Sequence, residues 1–148
     1  VVGFILNKQL EYSLNDLYDS VTINNIKIHS GGPVNQDNLY FIHNKPNLIH
    51  NSLNFYKDLH WGGDFENVIK LINKNELDNG CIKFFSGYTG WTFEQLTDEI
   101  ENDSWIILDN KENIEFNIDT SKLWGDYMKE MSSEFRIWCN APENPQSN

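Results

Sequence analysis

The stretch Cys81-Ile82-Lys83-Phe84-Phe85-Ser86-Gly87-Tyr88-Thr89-Gly90-Trp91 decides how the fold is read. Its first six residues form a short apolar run bounded by turn residues, the pattern of a strand buried inside a sheet. Gly87-Tyr88-Thr89-Gly90 is predicted to break that strand. Trp91 to Asn102 then reads as an amphipathic helix with Trp91, Phe93, Leu96 and Ile100 facing inward. A strand that enters a helix through a glycine-rich turn leaves backbone N–H groups free at the helix start. Gln95 and Glu99 are four residues apart and share one helix face, with Trp91 four residues before Gln95 on the same side.

Working outward, Asn25–His29 alternates with period two and meets Gly31-Gly32-Pro33, which must turn. Leu39–His43 is a further strand, and the two runs around Gly31-Gly32-Pro33-Val34 read as neighbours in one sheet. Val1–Leu6 reads as a buried strand, and Ser13 with Asp16 caps a short helix over Asn15–Tyr18. Asn44 to Leu53 is a polar loop, and Tyr56–Trp61 a strand ending at Gly62-Gly63. Asp64 caps a helix running to about Asn73, whose Phe65, Val68, Ile69 and Ile72 fall at helical spacing. Downstream, Trp105–Leu108 is predicted as a strand and Ile114 to Ile118 alternates weakly. Thr120 or Ser121 caps a last helix with Leu123, Trp124, Tyr127, Met128 and Met131 on one face, and the tail from Ala141 is polar. Strands and helices are interspersed without repeat or linker, so residues 1–148 read as one α+β domain.

Composition bounds the function. A chain of 148 residues with 39% apolar and 14% aromatic content buries a real core and is not a disordered segment. No apolar run approaches the ~20 residues that cross a bilayer, so no membrane partner is expected. Two cysteines, Cys81 and Cys139, fit a reducing compartment and a cytoplasmic location. The net charge is -11, and its distribution is uneven: residues 1–74 carry six lysines against seven acids, residues 75–148 five basic residues against fifteen acids. Such a field repels phosphate backbones, and Arg136 is the one arginine, so direct DNA binding is not expected.

Chemistry-bearing motifs are few. Gly31-Gly32 permits a tight turn or close approach of a ligand, but no Lys-Ser or Lys-Thr follows as in a phosphate-binding loop. Ser86 sits at the strand end without the glycines of a nucleophile elbow, and Cys81 reads as an inert core thiol. His29, His43, His50 and His60 are separated by 14, 7 and 10 residues, none a metal-ligand spacing; no metal and no cofactor is expected. Tyr88, Trp91 and Trp105 are candidates to line a pocket with Gln95 and Glu99 as its polar groups. We expect the two glycine motifs to meet in space, with Gln95 or Glu99 hydrogen-bonded to backbone near one of the glycine turns.

Gly31-Gly32-Pro33-Val34 before a strand ending at His43, then Gly87-Tyr88-x-Gly90-Trp91-x-x-x-Gln95-Leu96-x-x-Glu99 and a trailing Trp105, resembles the AlgH (YqgE) family of bacterial proteins. The opening Gly3-Phe4-Ile5-Leu6-Asn7-Lys8 is similar to the family's first matching strand, and the resemblance covers about residues 1–131. Thr92-Phe93-Glu94 stands where many relatives have a second glycine. The resemblance implies an α+β fold on a bent, partly opened mixed β-sheet flanked by helices. It makes about 132–148 a branch-specific extension and sets the family's N-terminal strands ahead of Val1. The family is uncharacterised; some members carry a transcriptional-regulator label from genetic association, and no activity, cofactor or metal is implied. The expected function is a non-enzymatic binding or regulatory domain with a protein or small-molecule partner. Its candidate binding residues are Gly31, Gly32, His43, Gly87, Tyr88, Trp91, Gln95 and Glu99. The alternative is a small enzyme of unassigned class using Glu99 and His43.

Overall fold

The computed structural model describes residues 1–23, 25–108, 116 and 120–130. They fall in two compact units, Val1–Asn117 and Ile118–Asn148. The first contains an open, mixed seven-stranded sheet with short helices, an α+β architecture. In chain order its elements are β1 (Val2–Gly3), β2 (Gln9–Ser13), α1 (Leu14–Leu17), β3 (Lys27–Ser30), β4 (Val34–His43), β5 (Leu53–Tyr56), β6 (Leu59–Trp61), α2 (Phe65–Asn73), β7 (Ile82–Gly90) and α3 (Phe93–Glu101). The strand order is β2-β3-β7-β4-β6-β5, with β1 also paired to β7. Among the described residues only the β3–β7 pairing is parallel. No helix among the described residues is long and apolar enough to cross a membrane.

β7 is the hub because Ile82, Lys83, Phe84 and Phe85 are all buried, the pattern of a strand covered on both faces. Register divides the sheet into two sides. Phe84 lies between Ile28 and Phe41, and Phe85 between His29 and Tyr40. On the first side α2 lays Val68, Ile69, Leu71 and Ile72 against Ile28, Phe41 and Phe84. Each such side chain contributes roughly 1.5–3 kcal/mol on full burial. The helix begins where Asp64 accepts the Asn67 N–H at 3.1 Å. On the second side Phe85 gathers Ile42, Leu59 and Phe116, with Phe4, Leu6 and Tyr40 around them. Phe4 stacks on Phe85 at 4.5 Å.

Four local expectations are corrected. Gly87-Tyr88-Thr89-Gly90 does not break the strand: β7 runs on through it. Gly87 takes φ +70°, the ladder with β4 shifts register there, and Val2 and Gly3 supply a new partner for Gly90 and Thr89. The runs on either side of Gly31-Gly32 share the sheet but are not neighbours, because β7 lies between β3 and β4. Tyr56–Trp61 is not one strand but the turn and second arm of the β5–β6 hairpin, with Lys57 at φ +47°. Trp105–Leu108 forms no strand, and all four residues are exposed.

The helix expected from Trp91 begins two residues later, at Phe93, with Thr92 as its cap accepting the Gln95 N–H at 3.0 Å. Its inward face is also corrected. No residue of α3 is buried and Phe93 is 74% exposed, because the helix lies beyond both apolar clusters. Near the start of the chain, the Ser13 N–H donates to Asp16 at 2.7 Å and α1 follows as expected. In the second unit α4 spans Thr120–Glu130. Ile114, Ile118, Met131, Cys139 and the tail from Ala141 lie outside the described residues.

Candidate functional site

The two glycine motifs meet. The Gly31 N–H donates to the Ser86 carbonyl at 2.8 Å, extending the β3–β7 pairing by one residue. A Cβ on Gly31 would strike the Gly87 carbonyl oxygen, and one on Gly32, at φ +153°, would strike the backbone of Tyr88. Gly87 has the reciprocal constraint, since its Cβ would lie 2.6 Å from the Gly32 oxygen. The sequence places glycines here because two backbones cross with no room for side chains. The Gln36 amide donates to the Gly32 carbonyl at 3.3 Å, and the Ser86 hydroxyl donates to the Gln36 carbonyl at 2.6 Å. The crossing is thus closed by its own chain. Tyr88 leaves it on β7 and packs edge-to-face on Tyr40 at 5.4 Å.

Beyond the crossing, Trp91, Gln95 and Glu99 assemble with Trp105. The Trp91 and Trp105 indole N–H groups both donate to Glu99 Oε2, at 3.1 and 2.7 Å. The Gln95 amide donates to Oε1 at 2.9 Å. Four-residue spacing on α3 sets Gln95 beside Glu99, and the indoles meet edge-to-face at 5.3 Å. The carboxyl is held below the ordinary carboxylate range, chiefly by the Trp105 and Gln95 hydrogen bonds and further by Trp91, because donors favour its charged form. The expected bond from Gln95 or Glu99 to glycine-turn backbone is therefore corrected: side-chain donors saturate the carboxylate first. Gly3 packs against this corner, where a Cβ would lie 3.2 Å from the Trp91 ring.

His43 stands apart from that corner. It pairs with Ile82 at the opposite end of the β4–β7 ladder from Tyr88. Six residues separate them along β7, about 20 Å at ~3.3 Å per residue. The His43 ring is fully buried. The Lys45 backbone N–H donates to Nδ1 at 3.1 Å, so Nε2 carries the proton and donates to the Gly62 carbonyl at 3.1 Å. Nε2 thereby holds the Gly62 backbone in place, and Nδ1 holds that of Lys45. Burial holds the imidazole below its usual range. Glu99 and His43 are not brought together, and a carboxylate held in its charged form is a poor general acid near neutrality.

Sequence reading missed two polar arrangements. Ser52 Oγ lies 3.2 Å from His60 Nδ1, and the Asn54 amide is 3.2 Å from His60 Nε2. The His60 ring stacks on His43 at 5.5 Å. The signal was Ser52 and Asn54 in alternation, but only hairpin register puts them beside His60. The second is Lys83 and His29, both buried on the second side of the sheet. Its signal was a lysine inside a strand already read as covered on both faces. Among the described residues no three His, Cys, Asp or Glu side chains are placed to hold a metal. A cleft of about 420 Å³ lined by Tyr18, Asp37, Asn38, Leu39 and Phe65 contains none of the eight predicted site residues.

A family model described as AlgH-like matches residues 1–136. The chain belongs to the AlgH-like family. A UPF0301 protein of Chlorobium phaeobacteroides is 32% identical over 147 residues, covering 99% of this chain and 79% of the relative. A UPF0301 protein of Cytophaga hutchinsonii is 33% identical over 147 residues, covering 99% and 81%. The solution structure of the AlgH protein from Pseudomonas aeruginosa is similar in fold, with TM-score 0.63 and 18% identity over 97% of this chain and 79% of that one. The family's function is uncharacterised, and the open mixed sheet agrees with the fold that the resemblance implied.

Proposed function

We propose that this AlgH-like chain is a non-enzymatic binding domain for a protein partner, acting through the corner of Gly31-Gly32, Gly87-Tyr88 and Trp91–Glu99–Trp105. One observation carries the reading. Glu99 is fixed by two indoles and an amide on a helix with no buried residue. A hydrogen-bonded aromatic frame outside the core has fixed shape without serving as core packing, which suits recognition. Regulation in this reading works through protein contact in the cytoplasm, in keeping with fifteen acids against five basic residues after position 74, a poor basis for gripping DNA.

The test compares captures by the wild type, a Gln95→Ala/Glu99→Ala variant and Phe93→Ser, each also measured for thermal midpoint. Phe93 is 74% exposed, so Phe93→Ser leaves the fold intact. The reading expects one specific protein to be lost from both variants while the Phe93→Ser midpoint holds. Identical captures by all three overturn it.

A further inference from the structure

We propose that the cleft beside the bulge of β4 is a binding site for a small organic cation, an ammonium group carried on an aromatic body. This goes beyond the α3 corner, uses none of its side chains and stands if that reading fails.

Register builds one wall of the cleft. On the β4–β7 ladder Val34 pairs with Tyr88 and Leu39 with Ser86, so five steps along β4 answer two along β7. The surplus leaves the ladder as a bulge, which re-aims the side chains it carries. The bulge is pinned by its neighbours. Asn35 takes φ +50°, the Gln36 carbonyl accepts the Ser86 hydroxyl at 2.6 Å, and the Gln36 amide donates to the Gly32 carbonyl at 3.3 Å. Asp37 and Asn38, the next two residues, are exposed and line the cleft. Among the described residues neither side chain makes a hydrogen bond or ion pair, so both are available to a ligand.

The rest of the lining is apolar and mostly aromatic. The Tyr18 and Phe65 rings lie 5.1 Å apart, Phe41 is 6.2 Å from Phe65, and Leu39 completes the surface. Tyr18, Leu39 and Phe65 are only half-buried against the core on the α2 side. The cleft holds about 420 Å³, within the range of small-molecule sites. Aromatic rings favour both an apolar body and a cation over their faces, and the Asp37 carboxylate supplies the opposite charge. The chain around the cleft carries the same sign. Asp19 follows Tyr18 and Glu66 follows Phe65, while no lysine or arginine stands within four positions of Tyr18, Asp37 or Phe65. Such a field draws cations and turns anions away.

The experiment is a nitrogen-15 NMR titration of the whole chain with phenethylammonium chloride, and separately with sodium hydrocinnamate, at constant ionic strength. The second compound has the same ring and linker with the opposite charge. The readouts are the amides of residues 18, 37–41 and 65. Saturable shifts are expected with the ammonium compound, and weaker binding or none with the carboxylate. Asp37 is exposed, so Asp37→Asn keeps the fold, which an unchanged thermal midpoint checks. That variant is expected to bind the ammonium compound about fivefold more weakly, the loss of one partly exposed ion pair. No saturable shift with the ammonium compound, equal affinity in Asp37→Asn, or equally tight binding of the carboxylate overturns the site.

Discussion

The backbone of Gly31 passes so close to that of Gly87 that a Cβ on Gly31 would meet the Gly87 carbonyl oxygen. Backbone on one side cannot rotate away as a side chain would. Gly31→Ala is therefore expected to destabilise the chain by about 3 kcal/mol, at the upper end for overpacking. Urea unfolding checks it, and an unchanged midpoint would show that the crossing has slack.

Glu99 gives a pH signature. Its folded pKa lies below the ordinary 4.5, so its contribution is complete above 4.5 and is lost as pH falls through the folded value. The difference in thermal midpoint between wild type and Glu99→Gln is expected to be constant near neutrality and to shrink in acid. Midpoints measured across that range decide it.

His29 acts over a higher window. Its folded value is about 4 against 6.5, so from pH 6.5 down to 4 the unfolded chain takes up a proton that the folded chain refuses. Stability falls on acidification, by about 3 kcal/mol from this residue at 1.36 kcal/mol per unit. Buried His43 adds a loss of the same sign. His29→Phe is expected to flatten part of the slope between pH 7 and 5 in urea denaturation.

Lys83 acts with the same sign at higher pH. Between pH 10.5 and about 8 the unfolded amine is protonated while the folded one is not, so stability rises with pH through that window. At pH 7 the lone buried charge is a burden, and Lys83→Met is expected to stabilise the chain by about 1–3 kcal/mol in denaturant titration.

Asp64 supplies a control on local structure. Its side chain accepts the Asn67 N–H at the start of α2. Asp64→Ala is expected to lower stability by about 1 kcal/mol without moving the α3 corner. Denaturation together with unchanged tryptophan emission checks both halves.

What could be read in advance was local. Asp64 and the spacing of Val68, Ile69 and Ile72 announced α2, and Ile82 to Phe85 announced a covered strand. Glycine pairs announced a close approach, and Gly31 and Gly87 supply it. Features set by distant partners were illegible. Gly87 to Gly90 stays in the ladder because Val2 and Gly3 pair with Thr89 and Gly90, a contact no local window contains. The β5–β6 turn uses Lys57 at positive φ where glycine would have signalled it. Trp105 looked like strand or core, yet its indole reaches back to Glu99 and its neighbours find no ladder.

The hub position of β7 also governs how the protein emerges from the ribosome. β3 and β4 each lie alongside β7, and no ladder joins them to one another. By the time residue 81 is synthesised, the β4–β6–β5 meander has its local partners, whereas β3 still lacks the strand that ties it to that half. Closure waits for a segment made late, so a nascent chain stalled before Ile82 would carry two unjoined pieces of sheet with naked rims, the form most in need of a chaperone.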